Sequence, residues 1–102
     1  MYVSVSRLRI DPGLAGELVT AFRRRARLVE SHEGFIDLQV WQADGDDGEI
    51  LMVSRWQSRE SFKRYMKSAD HATSHHRITP ALKDGIQLER LEHLSGYDVV
   101  AE

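Results

Sequence analysis

The sequence predicts an α+β domain in which four antiparallel strands carry two helices on one face. Three observations support this prediction. The chain has 102 residues, which is room for one domain. Strand-like and helix-like stretches follow one another in the order β-α-β-β-α-β, and short turn signals separate them. This order is that of the split βαβ, or ferredoxin-like, arrangement. We therefore expect a single domain over residues 1–102, with residues 95–102 as a tail.

The first strand and the first helix have clear local signals. Residues 2–10, YVSVSRLRI, are rich in β-branched and apolar types, which is typical of a strand. Asp11 and Pro12 predict a helix start, because aspartate is a good N-cap and proline suits the first helical position. Apolar residues continue at roughly helical spacing as far as Val29. The pattern therefore predicts a helix over about residues 12–31.

A β-hairpin and a second helix are expected next. The hairpin strands are predicted at residues 35–43 and 49–56, joined by the turn residues DGDDG at 44–48. Ser58 is placed to cap the second helix. Ser68 is placed to restart that helix as a short segment reaching about His76.

The last part of the chain predicts one more strand. Residues 79–85 contain Pro80 and Gly85 and are interpreted as a loop or a single turn. Residues 86–94, IQLERLEHL, are interpreted as the last strand, which the tail extends after Gly96.

The hairpin strands predict a second apolar face on the sheet. In FIDLQVW, Phe35 and Trp41 are expected on one side and Leu38 and Val40 on the other, and ILMV in the next strand is apolar on both sides. Two helices cover only one face, and an uncovered apolar face is prone to aggregation. We therefore expect a homodimer whose sheets pack face to face.

Composition excludes several kinds of function. A net charge of −2 and a pI near 6.2 argue against a general nucleic-acid binder. The absence of cysteine excludes disulfides and thiolate metal sites. No apolar run approaches the ~20 residues that span a membrane, and the N-terminal stretch alternates rather than forming an apolar signal core. We therefore expect no nucleic-acid or membrane partner and a cytoplasmic location.

Three of the five histidines lie in SADHATSHHR, residues 68–77. His71 and His75 are four residues apart and share a helical face, a spacing that suits chelation of a metal. A zinc-protease motif, however, requires glutamate directly after the first histidine, and Ala72 stands there. No third ligand is nearby, so we expect no dedicated non-heme metal site. Acid–base groups and a solvated helix face remain alternatives.

Two segments, GFIDLQVWQ and LMVSRWQSRESFKRYMKSADHATSHH, resemble the antibiotic biosynthesis monooxygenase superfamily. The resemblance covers the chain from Tyr2 to about Leu94. Trp56, Ser58 and Phe62, followed by a second-helix histidine, are most similar to heme-degrading monooxygenases of the Isd type. The resemblance implies a dimeric α+β barrel that binds one heme per subunit between sheet and helices. It also implies oxidative heme degradation with release of iron, using oxygen and an unidentified electron donor.

The resemblance carries site residues over one at a time. Counting from Trp56 without gaps places the iron ligand at His75, with His71 one turn earlier as a secondary candidate. The distal polar residue is asparagine in the best-known members. Here that position is Ser6, and the sequence contains no asparagine. Tyr65 stands where those members have the tryptophan on which the heme leans.

Two arginines are candidates for binding the heme propionates, because a guanidinium suits bidentate binding of carboxylates. Arg7 lies beside Ser6 in the first strand, and Arg25 lies closest to the apolar stripe of the first helix. The superfamily also implies two alternative functions. One is a cofactor-independent oxygenase of a small aromatic or quinol, with His71 or His75 as base. The other is a non-catalytic dimer that binds heme or another small molecule.

Overall fold

The computed structural model describes residues 1–25, 27–71, 86–87 and 94–102. Within them the α+β class and the antiparallel sheet predicted from the sequence are confirmed. The elements follow in the order β1 (Tyr2–Ile10), α1 (Pro12–Arg23), a 3-10 segment (Leu28–Ser31), β2 (Phe35–Ala43), β3 (Asp46–Trp56), α2 (Arg59–Met66), β4 (Ile86–Gln87) and β5 (Leu94–Asp98).

β1 lies at the centre of the sheet. Its one edge pairs with β3, which pairs in turn with β2, and its other edge pairs with both β4 and β5. Of the last strand expected over residues 86–94, the structure describes two paired parts, Ile86–Gln87 and the start of β5 at Leu94. Residues 88–93, which lie outside the described residues, separate these segments, whereas their partners Ser6 and Arg9 are only three positions apart on β1. The difference in register explains why one regular strand cannot make both pairings.

Side-chain caps begin both helices as the sequence predicts. The Asp11 carboxylate accepts a hydrogen bond from the N–H of Gly13 at 2.8 Å. The Ser58 hydroxyl accepts one from the N–H of Ser61 at 3.2 Å. Each cap satisfies a backbone donor that the first turn of a helix leaves without a partner.

The first helix is shorter than predicted. It ends at Arg23, Arg27 adopts a left-handed conformation with φ 57°, and Leu28–Ser31 form a separate 3-10 turn. The prediction of one helix over residues 12–31 is therefore wrong. The physical reason is tertiary packing: Val29 continues the apolar spacing of α1 but is buried in a different cluster, next to Trp56.

The β2–β3 hairpin is tighter than predicted. β3 begins at Asp46, which pairs with Ala43 across a two-residue turn of Asp44 and Gly45. Gly45 has φ 85°, a conformation that glycine adopts without the steric penalty other residues incur.

A β-bulge changes which side chains share a face. The register shifts between Phe35 and Asp37, so Phe35 lies on the helix side together with Leu38 and packs against Trp56. The expectation that Phe35 and Trp41 share a face is therefore wrong. Trp41 lies on the opposite side and is 50% exposed.

Two clusters of buried residues fill the space between sheet and helices. The first joins α1 to the Leu8 end of β1, and the second joins the 3-10 segment and α2 to the Trp56 end of β3. No helix in the described part of the chain is long and apolar enough to cross a membrane. The buried members are Leu8, Ile10, Ala15, Leu18 and Ile50 in the first cluster and Val29, Trp56 and Phe62 in the second.

Candidate functional site

A strip of serines crosses the helix side of the sheet between the two clusters. Ser4 and Ser6 lie on β1, and Ser54 lies on β3 directly opposite Ser4. Ser4 is buried, and the other two are half-buried. Strands that pack on helices normally place apolar residues at such positions, so buried serines are an informative exception. This serine strip leaves little side-chain volume at the middle of the face.

An aromatic group borders the serine strip. Tyr65, on α2, packs against the ring of Trp56 with ring centroids 5.5 Å apart. The rings of His32 and His71 meet Tyr65 edge-on, with centroid distances of 4.9 Å and 5.3 Å. Trp56 connects this group to the serine strip, because its indole N–H donates to the Ser54 hydroxyl at 2.9 Å. Tyr65 is therefore the centre of a group that joins α2 to the sheet.

Ser68 brings His71 into this aromatic group. Its hydroxyl donates to the carbonyl of Tyr65 at 2.6 Å and accepts from the N–H of His71 at 3.3 Å. Residues 69–71 are helical again after the turn that follows α2. Ser68 thus acts as the N-cap of a new helical segment, which agrees with the restart predicted from the sequence.

His32 and Asp70 form a side-chain hydrogen bond that sequence reasoning missed. Nε2 of His32 lies 2.8 Å from Oδ2 of Asp70. An ionised carboxylate only accepts hydrogen bonds, so Nε2 carries a proton in this contact. The two residues are 38 positions apart, one in the connection before β2 and the other next to His71. No local pattern joins them; the only signal was a histidine in a connection that ends at Gly34.

The two predicted propionate-binding arginines both pair with glutamates. Arg7 follows Ser6 in an extended strand, so its side chain lies on the opposite face, where its Nε is 3.1 Å from a Glu49 carboxylate oxygen. Arg25 is beyond the end of α1 and makes a 2.7 Å hydrogen bond to Glu30. Although Arg7 is next to Ser6 in the sequence, its guanidinium therefore does not lie on the face of the serine strip.

The remaining predicted site residue is His75. It lies outside the described residues, so the site above is built from Ser6, Tyr65 and His71 together with the newly found His32 and Asp70. Within the described ranges, no group of three or more histidine, aspartate or glutamate side chains is arranged to hold a metal ion.

The sequence is similar to proteins named for heme degradation. It is 28% identical over 78 residues to the heme-degrading monooxygenase HmoA of Bacillus subtilis, which spans 74% of this chain and 70% of that protein. It is 31% identical over 70 residues to a staphylobilin-producing heme oxygenase of Staphylococcus epidermidis, which spans 67% of this chain and 66% of that protein. The chain thus matches about two thirds of each relative's length.

The fold is similar to two solved structures of different function. The heme degrader MhuD of Mycobacterium tuberculosis, solved with two hemes in its active site, has a TM-score of 0.79 at 22% identity and covers 100% of this chain and 98% of its own. SnoaB of Streptomyces nogalater, a cofactor-independent oxygenase, has a TM-score of 0.76 at 16% identity and covers 99% and 94%. These likenesses establish the shared fold.

A family model decides the relationship. The model of the antibiotic biosynthesis monooxygenase family matches residues 1–77, which include β1, both helices, the hairpin and the segment that carries His71. This is more than half of the chain, and it contains the serine strip and the aromatic group. The chain belongs to the antibiotic biosynthesis monooxygenase family.

Proposed function

We propose that this protein binds heme between the helix side of its sheet and the helices, and degrades it oxidatively with release of iron. One observation carries the proposal: Tyr65 joins His71, in the helical segment that follows α2, to the Trp56 wall beside the serine strip. The names of the sequence relatives, which are heme-degrading monooxygenases, support the same reaction.

The residues present suit a heme group. A porphyrin needs a flat space with apolar walls and a side chain able to ligate iron. The serine strip has small side chains between two apolar clusters, and the half-buried Tyr65, which packs on the buried Trp56, offers an aromatic ring at its border. His71 provides an imidazole at the same border. These features favour a planar, largely apolar ligand over a small ion.

Each residue of the proposed site has a distinct role. His75 is the proposed iron ligand, and His71 is the secondary candidate. Ser6 is the distal polar group, because its hydroxyl is on the helix side of β1, opposite Met52. Tyr65 forms a wall of the pocket. When bound, heme supplies the iron that activates oxygen and is itself the substrate.

The two arginines differ in their fit to the role of propionate partner. Arg25 remains the proposed propionate partner, because it follows α1 on the helix side of the sheet. It would have to share its charge with Glu30, which it contacts at 2.7 Å. We no longer assign this role to Arg7, which pairs with Glu49 on the other face.

We also propose that the protein is a homodimer built on the outer face, the side of the sheet away from the helices. Trp41 and Tyr97 are exposed there to 50% and 56%. Strand alternation places further apolar residues on the same side, which makes a continuous surface suited to a second sheet. The apolar residues of the outer face are Val3, Val5, Trp41, Leu51, Val53 and Tyr97.

A hemin titration tests the proposed site. Wild-type protein should shift the Soret band of added hemin, and His75→Ala should abolish the shift because the axial ligand is lost. His71→Ala is the matched control, four residues earlier in the sequence, and should retain the shift. If only His71→Ala abolishes it, the ligand is His71. An unchanged hemin spectrum with the wild-type protein would overturn heme binding altogether.

Turnover separates the proposed reaction from the two alternatives. With bound hemin, oxygen and ascorbate as a model reductant, the Soret band should disappear while a ferrous chelator detects released iron. A heme complex that stays intact would identify a carrier instead. Oxygen consumption with a quinol in heme-free protein would identify a cofactor-independent oxygenase. The cytoplasmic location stays a prediction.

A further inference from the structure

We propose that His32 is a positioning residue of this site: by binding Asp70 and packing on Tyr65, it holds the segment of residues 68–71 against the Trp56 wall. The inference rests on the proposed heme site, because that segment carries His71 and leads along the chain to His75. His32 itself is not proposed to touch heme.

The backbone of His32 is fixed from both sides. Its N–H donates to the carbonyl of Val29 at 3.1 Å, and its own carbonyl accepts from the N–H of Phe35 at 3.2 Å. Val29 is buried in the second cluster, and Phe35 is the first residue of β2. The imidazole therefore projects from a part of the chain that is anchored to the core.

Among the described residues, the segment that it holds is supported at its start by Ser68. Residues 69–71 are helical after a turn, and Ser68 makes the two capping hydrogen bonds. The first turn of a helix is costly to form without tertiary contacts, because nucleation fixes several dihedral angles for one hydrogen bond. The position of this segment therefore depends on what its side chains contact.

Two adjacent side chains of the segment are held by two side chains that contact each other. Asp70 binds Nε2 of His32 at 2.8 Å, and His71 meets the ring of Tyr65 at 5.3 Å. The rings of His32 and Tyr65 meet edge-on at 4.9 Å and 79°. Moving the segment away from the wall would break both contacts at once.

The hydrogen bond between His32 and Asp70 is partly shielded from water. The side chain of His32 is only 23% exposed, although that of Asp70 is 43% exposed. A charge-assisted hydrogen bond at a partly buried site is stronger than a typical surface ion pair. Its effect should be felt at the segment that bears Asp70 rather than throughout the fold.

Two substitutions at His32 separate the hydrogen bond from the ring. His32→Gln keeps an N–H donor at about the reach of Nε2 and removes the ring, whereas His32→Phe keeps a ring against Tyr65 and removes the donor. In heme-free protein, amide hydrogen exchange of residues 68–71 should accelerate about tenfold in His32→Phe, the effect of losing one hydrogen bond to a charged group. In His32→Gln it should stay within about threefold of the wild type.

Hemin binding provides a second readout. The Kd should rise about tenfold in His32→Phe with a shifted Soret band, and His32→Gln should restore the wild-type band and an affinity within about threefold. Asp70→Asn removes the charge from the other partner and should act in the same direction. The double variant His32→Phe/Asp70→Asn should be no weaker than His32→Phe, because both changes remove one interaction.

The outcomes are distinguishable. Equal exchange rates at residues 68–71 in all variants would overturn the positioning role. Faster exchange in His32→Phe with unchanged hemin affinity and Soret position would show a contact that does not serve the site, which also overturns the proposal. Wild-type protein that is folded but binds no hemin would overturn the proposed function, while the exchange data would still report on whether His32 holds the segment.

Discussion

The indole N–H of Trp56 donates to the hydroxyl oxygen of Ser54 at 2.9 Å, two residues earlier on the same strand. Trp56 is 1% exposed and is among the largest fully buried side chains of the described residues. The serine strip therefore satisfies the polar atom of the central tryptophan, through Ser54.

Ser54→Ala should destabilise the protein by about 1–3 kcal/mol, because it leaves a buried N–H donor without a partner. Urea denaturation followed by tryptophan fluorescence measures the change. Ser6→Ala is the matched control on the same face, since Ser6 makes no side-chain hydrogen bond to the described residues, and it should change the free energy of unfolding much less. Equal effects of the two substitutions would contradict this account of Trp56.

Gly34→Ala should be more damaging than Gly45→Ala. Both glycines have nearly the same positive φ, 84° and 85°, so an alanine at either position has a similar backbone strain of about 1–2 kcal/mol. Only Gly34 lies against another element: a Cβ there would collide with the side chain of Ser61 on α2, whereas the space at Gly45 is open. The difference between the two variants in thermal or urea unfolding isolates the collision. No difference would mean that α2 moves away freely.

Asp46 gives the stability a dependence on acid pH. The hydrogen bond from Arg9, followed by that from the N–H of Gly48, holds the pKa of Asp46 below its ordinary value of 3.8. A carboxyl whose pKa is lower in the folded state stabilises the fold above the unfolded pKa, and this contribution disappears as the pH falls through the folded pKa. Asp46→Asn should therefore be less stable than wild type at neutral pH.

Urea midpoints at neutral pH and at about pH 3 and below check this sign, because the gap between Asp46→Asn and wild type should narrow with acidification. Asp44→Asn removes the same charge from the same turn without the Arg9 contact. It should leave the pH dependence of the midpoint close to that of wild type. A gap that widens in acid would refute the assignment.

Trp41→Glu should convert a dimer to monomers. A charge in an apolar interface and the loss of a large aromatic side chain should weaken association at least about thirtyfold. Sedimentation velocity over a range of concentrations measures the shift. Val100→Glu is the control, because Val100 is 92% exposed outside the strands and should tolerate the charge. A monomeric wild type would remove the basis of the proposed interface.

Local signals explain what could be predicted of the fold. The first strand and the hairpin follow from alternation and turn residues, and Ser58 identifies the second helix because capping involves residues three positions apart. The end of the first helix could not be predicted in the same way. Val29 fits the helical spacing, and only its burial beside Trp56 reveals that it belongs to another cluster. The bulge after Phe35 could not be predicted either, because strand alternation assumes that every residue changes face.

Local signals also account for part of the contact between Tyr65 and His71. Tyr65 and His71 were both named from the sequence, and Ser68 between them indicated the restart that brings them together. The contact of His32 with Asp70 depends on how the connection before β2 lies beside α2, which no local pattern encodes. That Arg7 lies on the face opposite Ser6 was predictable, because neighbours in a strand lie on opposite faces.

The central position of β1 has a consequence for how this chain folds. β2 and β3 are joined by a two-residue turn, whereas β1 pairs with β5 through residues as distant in sequence as Tyr2 and Asp98. Closing so long a loop costs more conformational entropy than closing a hairpin. We therefore expect β5 to pair late, after the rate-limiting step of folding. In stopped-flow experiments Gly96→Ala, whose Cβ would collide with Tyr2, should mainly accelerate unfolding, whereas Gly45→Ala in the hairpin turn should mainly slow refolding. The reverse pattern would place the last strand in the folding nucleus.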